Sequence, residues 1–239
     1  MERGEFRFKH FSANHTQSSM KIGVDAVLLG AWAGTTLKTP PRKILDVGTG
    51  CGIIALCLAQ RFSSAQILGI DIDEPSIDEA RYNVANSLWA ERLEIRKAQF
   101  PKDIISESLK YDLIVSNPPY FKSGIINPAT SRERARHQES LSASVLVEKS
   151  QELLENSGRL SIIFPYEQIS EVKQEAEDRG WHIVRECRVK DNDHSKIKRV
   201  MMEFSRSQEP YVSENITMFN GSQPTEEYRN LCKEFYLKF

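Results

Sequence analysis

Several things are missing from this chain, and each absence removes a class of protein. No apolar run approaches the ~18 residues needed to cross a membrane, and the leading Met1-Glu2-Arg3-Gly4-Glu5-Phe6 lacks the apolar core of a signal peptide. The four cysteines, Cys51, Cys57, Cys187 and Cys232, are scattered and form no CxxC pair, so neither a disulfide framework nor a metal site is expected. Net charge is −1, so any contact with nucleic acid must come from a local patch rather than from the whole surface. There is no internal repeat and no low-complexity stretch. What remains is 239 residues, 40% hydrophobic and 27% charged, which suits one globular domain with small additions in a reducing cytoplasm.

The chain turns on Asn117-Pro118-Pro119-Tyr120. It follows Tyr111-Asp112-Leu113-Ile114-Val115-Ser116, an apolar run of the kind that forms a buried strand. Each proline lacks a backbone donor and has a fixed φ, so strand pairing stops there. An amide and an aromatic ring therefore sit on a stiff loop past the C-terminal end of a strand, the edge where open α/β sheets bind ligands. The Asn117 side-chain oxygen and the Pro118 carbonyl would accept hydrogens from a planar amino group, and Tyr120 would offer a stacking face. The bland alternative is a Pro-Pro turn with a buried tyrosine.

Lys43-Ile44-Leu45-Asp46-Val47-Gly48-Thr49-Gly50-Cys51-Gly52 reads as a strand and a glycine turn, and residues 53–59 as a buried helix. Together they form the first half of a nucleotide-binding crossover unit. The spacing is GxGxG led by an acid, not the GxGxxG of dinucleotide sites. Asp46 would repel a pyrophosphate, which favours a ligand carrying an ammonium or sulfonium. The strand over 66–71 ends in Asp71, about 20 residues after the turn, where a carboxylate can take the hydroxyls of a ribose. Asp73, Glu74 and Pro75 favour the start of a helix over 76–87. A third strand over 92–96 leads towards Gln99. Parallel strands would bring Asp46, Asp71, Gln99 and Asn117 to one sheet edge.

The flanks are less specific. Residues 6–11 alternate like a short strand, and Asp25 suits the N-cap of a helix over 26–33. The loop before it carries Lys21, which either closes over a ligand or is plain surface. Arg132, Arg134 and Arg136 are spaced by two, which suits an extended phosphate-contacting segment as well as ordinary solvated charge. Helical spacing runs over 140–154 and stops at Asn156-Ser157-Gly158. A strand over 159–164 and a helix over 166–179 follow. Strands over 181–189 and 197–204 then flank a polar hairpin. Lys196, Lys198 and Arg199 make that hairpin locally positive, facing nucleic acid or solvating a sheet edge. A polar tail ends in a short helix over 225–237.

DVGTGCG, GIDID and NPPY together resemble the class I S-adenosylmethionine-dependent methyltransferases that act on an amino nitrogen. The stretch Met20-Lys21-Ile22-Gly23-Val24-Asp25-Ala26-Val27-Leu28-Leu29-Gly30-Ala31-Trp32 and the basic segment after NPPY narrow the resemblance to the bacterial tRNA(Val) adenine-N6 methyltransferase family. The resemblance covers nearly the whole chain. It implies an α/β, Rossmann-like fold: a seven-stranded, mostly parallel sheet with the last strand antiparallel and helices on both faces. Residues 1–239 would form a single methyltransferase domain, with an N-terminal extension (1–38), a catalytic core (39–206) and a C-terminal tail (207–239). Asp46, Gly48 and Gly50 would hold the methionine part of S-adenosylmethionine and Asp71 its ribose. Gln99 stands where many relatives place an acid. Lys21 is a further candidate for the cofactor, and Asn117, Pro118, Pro119 and Tyr120 would hold the target adenine. The partner would be tRNA, with Arg132, Arg134, Arg136, Lys196, Lys198 and Arg199 as candidate contacts. Two other readings stay open: a protein-glutamine N-methyltransferase, whose target amide is also planar, and a nonenzymatic nucleotide- or RNA-binding module.

Overall fold

The apolar runs of the sequence become strands of one sheet. In the computed structural model, which describes residues 4–18, 22–105, 109–119 and 141–239, five strands run parallel: β3 (Lys43–Val47), β4 (Gln66–Asp71), β5 (Leu93–Lys97), β6 (Tyr111–Ser116) and β7 (Leu154–Pro165). β8 (His182–Asn192) and β9 (Ile197–Ser205) form a hairpin, and β9 inserts antiparallel between β8 and β7. β10 (Val212–Asn220) pairs parallel with β8, and the two-residue β11 (Gln223–Pro224) closes the edge. The order is β11-β10-β8-β9-β7-β6-β3-β4-β5, nine strands among the described residues rather than the seven expected. The class I arrangement is present, and the two extra strands come from the region read as a polar tail. There Ile216 and Met218 are buried while Asn215 and Thr217 beside them are polar, a weak alternating signal typical of a sheet margin.

Alternate residues of the central strands feed two apolar layers. Ile44, Ile67, Leu113 and Val115 face one side, with α1 (Val24–Trp32), α2 (Ile53–Arg61), α3 (Glu74–Ala85) and α7 (Glu226–Cys232). Leu45, Val47, Leu68, Ile70 and Ile114 face the other, with α4 (Lys102–Ile105), α5 (Ala143–Ser150) and α6 (Ile169–Asp178). A small antiparallel hairpin, β1 (Glu5–Arg7) and β2 (Ser12–Asn14), packs outside α3.

Two local expectations change. The helix near Asp25 starts at Val24 with Gly23 at its cap; Asp25 lies in the first turn, its Oδ1 3.1 Å from Arg199 Nε. The helix expected over 140–154 is only α5. Ser142 caps it by accepting from the Val145 N–H, and Leu154 already pairs with Tyr111 as the first residue of β7. Residues 155–158 then bulge before Arg159 takes up pairing with Leu113. Leucines 153 and 154 fit helical spacing, but the strand partner that claims Leu154 is distant in sequence.

Candidate active site

Strand register gathers the site. Val47 pairs with Ile70 on one side and with Ser116 on the other. The next residues along the three chains are Gly48, Asp71 and Asn117, so they stand in one row at the end of the sheet, where Asp71 still pairs with Lys97. With neighbouring strands ~4.8 Å apart, the row from Asp71 to Asn117 spans about 10 Å. β3 is the point where the sheet order reverses, flanked by β4 and β6, and that is where a crevice opens. The Ser116 hydroxyl donates to the Val47 carbonyl at 2.7 Å, latching the Asn117 loop to the glycine turn.

Asp46 lies beneath the turn on the α2 side and is wholly buried. Its Oδ2 accepts from the Thr49 hydroxyl at 2.7 Å and from the Ala55 N–H at 3.2 Å. Its Oδ1 is buried without a hydrogen-bond partner among the described residues. Burial drives the Asp46 carboxyl up to about 7, against the lowering effect of those two bonds. Asp71 caps the turn from the other side: Oδ2 accepts from the Gly50 N–H at 2.9 Å and Oδ1 from the Asp73 N–H at 3.0 Å. Burial raises its pKa too, opposed by backbone donors from Asp73, Gly50 and Ile72.

The turn hangs from β4, since the Gly48 and Thr49 N–H groups both donate to the Ile70 carbonyl at 2.9 Å. Gly48 has φ +71°, and a Cβ there would meet Leu141 Cδ2 at 2.9 Å. Leu141 closes one wall of a narrow cleft of about 30 Å³ whose other walls include Gly48, Asp71, Gln99 and Phe100. Gln99 thus lines the cleft; its N–H is taken by Asp103 Oδ2 at 2.9 Å. Asn117 is 9% exposed, Pro118 is buried and Pro119 half-buried. Tyr120, Lys21, Arg132, Arg134 and Arg136 lie outside the described residues.

The third group of expected residues stands farther along the same edge. The β8–β9 hairpin and the end of β7 border an open cleft with Tyr166, Lys190, Lys196 and Lys198 on its walls. Lys196 and Lys198 are exposed, and Lys198 pairs with Asp191. Arg199 is different: its side chain is 14% exposed and is held between Asp25 (3.1 Å) and Asp191 (2.8 Å). That makes it a strut joining the hairpin to the start of α1. Among the described residues no His/Cys/Asp/Glu group could hold a metal ion, and no helix is long and apolar enough to cross a membrane.

Three site residues are not apparent from the sequence. Ser116 is there only the last residue of a strand. Leu141 fits a helix face. Gly69, inside β4, has Thr49 Oγ1 2.8 Å from where a Cβ would lie, so only glycine lets the turn settle on the strand. A glycine interrupting an apolar strand pattern was the available signal for that close approach.

With that geometry in view, the chain can be set beside known proteins. A family model described as the methyltransferase small domain matches residues 34–177. The tRNA1(Val) (adenine(37)-N6)-methyltransferase of Trichodesmium erythraeum is 38% identical over 245 residues, covering 100% of both chains. The protein of that name from Vibrio campbellii is 34% identical over 233 residues, 98% of this chain and 95% of its own. Among solved structures, a "predicted O-methyltransferase" from Agrobacterium tumefaciens superposes with a TM-score of 0.66 at 15% identity, covering 88% of this chain and 96% of that one. A ribosomal protein L11 methylase from Lactobacillus delbrueckii gives 0.53 at 22% identity, over 77% and 78%. These two structures speak for the fold alone.

Proposed function

The chain belongs to the methyltransferase small-domain family and, within it, to the tRNA1(Val) (adenine(37)-N6)-methyltransferases, and from this premise we infer how its residues carry out the reaction. The enzyme methylates the N6 amine of an adenine in tRNA, the base at position 37 of tRNA1(Val) by the names of its relatives. The observation that carries the residue assignment is the row Asp71–Gly48–Asn117, which joins a donor crevice to an amide-bearing loop.

The methyl donor is S-adenosylmethionine, whose sulfonium makes the methyl carbon electrophilic. The residues present fit it. Asp46 offers a buried, unpartnered carboxylate oxygen where an ammonium would be held, and Gly50 presents open space at its α-carbon. Asp71 stands at the strand end where ribose hydroxyls are taken, and Gln99 lines the same cleft. Lys21 is kept as a further donor contact from the family resemblance.

The amine of adenine is a poor nucleophile because its lone pair is delocalised into the ring. The Asn117 side-chain oxygen and the Pro118 carbonyl accept its two hydrogens, which favours a pyramidal nitrogen aimed at the methyl carbon. Both interactions strengthen as positive charge grows on nitrogen, so they lower the barrier rather than merely holding the base. Pro119 stiffens the loop. Tyr120 supplies a face for the unstacked base, worth about 1–3 kcal/mol. The product nitrogen loses its proton to solvent, and no covalent enzyme intermediate is required.

The tRNA backbone runs along the β8–β9 hairpin, where Lys196 and Lys198 are exposed, and along Arg132, Arg134 and Arg136 next in sequence to the loop. Arg199 supports that surface from within rather than touching phosphate. Residues 1–239 act as one methyltransferase unit, with 1–38 as an N-terminal extension and 207–239 widening the sheet. The test is transfer of labelled methyl from S-adenosylmethionine to unmodified tRNA, with protein extract as the parallel acceptor. Label in a single tRNA adenine is the expected result; label only in protein would transfer the assignment to a glutamine amide.

A further inference from the structure

One face of α3 binds two segments that are far apart in sequence. Glu79 and Asn83, four residues apart, share that face and are 5% and 1% exposed. The Glu79 carboxylate gathers three consecutive backbone donors. Oε1 accepts from the N–H of Thr16 at 2.6 Å and of Gln17 at 3.1 Å, and Oε2 from the N–H of Ser18 at 2.8 Å. The Thr16 hydroxyl adds a bond of 3.2 Å. Three adjacent N–H groups aimed at one point make an anion nest, and here the anion is the protein's own. Burial pushes the Glu79 pKa up, but the donors at 17, 18 and 16 outweigh it and the net shift is downward, so the carboxylate is charged at neutral pH.

Asn83 completes the clamp. Its Oδ1 accepts from the Asn14 N–H at 2.8 Å, and its Nδ2 donates to the Asn14 carbonyl at 2.9 Å. The same Nδ2 donates to the Cys51 carbonyl at 2.9 Å. Cys51 lies in the glycine turn, between Gly50, whose N–H holds Asp71, and Gly52, which caps α2. The Ser18 hydroxyl reaches the Cys51 thiol from the other segment. Neither Glu79 nor Asn83 belongs to the donor cleft or to the Asn117 loop, so an enzyme needing only those parts would have no use for a charged nest at this position.

We propose that Glu79 and Asn83 are positioning residues for the methyl-donor site: they pin residues 14–18 across the glycine turn and so hold Gly50 and Cys51 in the shape that receives S-adenosylmethionine. The proposal rests on the glycine turn being the donor's cradle. It makes the N-terminal segment part of the donor site, although it lies outside the matched methyltransferase domain, which begins at residue 34.

The test compares Glu79→Gln, Asn83→Ala and Thr16→Val with Asp71→Ala in the full chain. It measures S-adenosylmethionine affinity by calorimetry, steady-state kinetics with tRNA, thermal midpoint, and amide exchange at residues 14–18. Glu79→Gln and Asn83→Ala should raise Kd and KM for S-adenosylmethionine about tenfold, the scale of losing a charge-assisted hydrogen-bond set. They should leave kcat at saturating donor within about twofold and KM for tRNA unchanged, with faster exchange at 16–18. Thr16→Val removes a single bond and carries the test should the stronger variants not fold; it should weaken donor binding about twofold. Faster exchange at 16–18 with unchanged donor affinity overturns the proposal, because the clamp would then be purely structural. An Asp71→Ala enzyme that binds S-adenosylmethionine normally would instead overturn the donor-site reading on which the proposal rests.

Discussion

Two wholly buried carboxylates stand in one cross-strand row of the sheet, Asp46 of β3 and Glu203 of β9, and they are treated differently. Three strands away from the glycine turn, Glu203 is fully used. Its Oε1 accepts from the Gly34 N–H at 2.6 Å and the Ser161 hydroxyl at 3.0 Å, and its Oε2 from the Thr36 hydroxyl at 3.0 Å. It ties the chain after α1 to two strands. At the site edge, Asp46 is equally buried but has one oxygen satisfied and one left over. A buried polar atom without a partner costs about 1–3 kcal/mol, and a fold retains such a defect where something else completes it. Burial alone therefore separates nothing here; the state of the second oxygen distinguishes a fastening from a receptor.

The contrast predicts that damage at the site costs function and damage at Glu203 costs stability. The largest functional effect belongs to Asn117. Asn117→Ala removes an acceptor that matters most in the transition state, so kcat should fall on the order of 10²–10³-fold. S-adenosylmethionine affinity should stay within about threefold, as calorimetry would show. Equal losses in both would mean that the Asn117 loop belongs to donor binding and that the site edge has no separate target end.

Next comes Glu203. Glu203→Ala strands three donors in the interior and should cost about 3 kcal/mol of stability in a urea titration. The fraction that stays folded should keep wild-type kcat and donor affinity. A loss of donor affinity without a loss of stability would erase the distinction between the two carboxylates.

Asp46→Asn sharpens the pair from the other side. The Asp46 carboxyl is pushed up to about 7, from an ordinary value of 3.8. Between those values the folded state holds a proton that the unfolded state has released. This contribution to stability is therefore greatest at low pH and is lost as pH rises towards 7. The amide variant escapes the loss and should be more stable than wild type at pH 8, by up to a few kcal/mol. Function goes the opposite way. Binding an ammonium beside Asp46 requires the ionised form, so donor affinity should climb as pH rises from 6 to 7.5. The climb approaches tenfold per pH unit at its acid end. Asp46→Asn should bind about tenfold more weakly at pH 7.5 and lose most of that slope. Calorimetry of both proteins across this range is the measurement, with the variant as reference for the donor's own titration.

How much of this could be read in the chain depended on range. β3, β4 and β6, with the residues they deliver, followed from local pattern: apolar runs, a glycine turn, two prolines. The Asp46 and Asp71 positions came with them. Unread were features whose partners lie far off in sequence. Ser116 meets the Val47 carbonyl 69 residues away, and Gly69 makes room for Thr49. Glu79 looks like an exposed helix acid until residues 16–18 fold onto it. Arg199 reads as surface charge because nothing local announces Asp25. The strand at 212–220 has too few apolar residues to stand out beside a strong central sheet.

The smallest effect tests how far the site edge extends. Lys196 and Lys198 sit on the hairpin, outside both the donor crevice and the Asn117 loop. Exposed lysines facing phosphate act through counterion release, so Lys196→Ala with Lys198→Ala should raise KM for tRNA about three- to tenfold. The salt dependence of that KM should flatten by one to two in log–log slope, at roughly −0.7 to −0.9 per phosphate contact. S-adenosylmethionine affinity and stability should not move, because the Lys198–Asp191 pair is exposed and such pairs contribute about 0–1 kcal/mol. Arg199→Ala supplies the contrast within the same hairpin. It leaves Asp25 and Asp191 facing each other without the guanidinium between them, so it should lower the thermal midpoint and raise KM for tRNA without flattening the salt slope. If Arg199→Ala flattened the slope and the lysine pair did not, the strut and the contact would have to exchange places, and the RNA path would run under the hairpin along the start of α1 rather than over it.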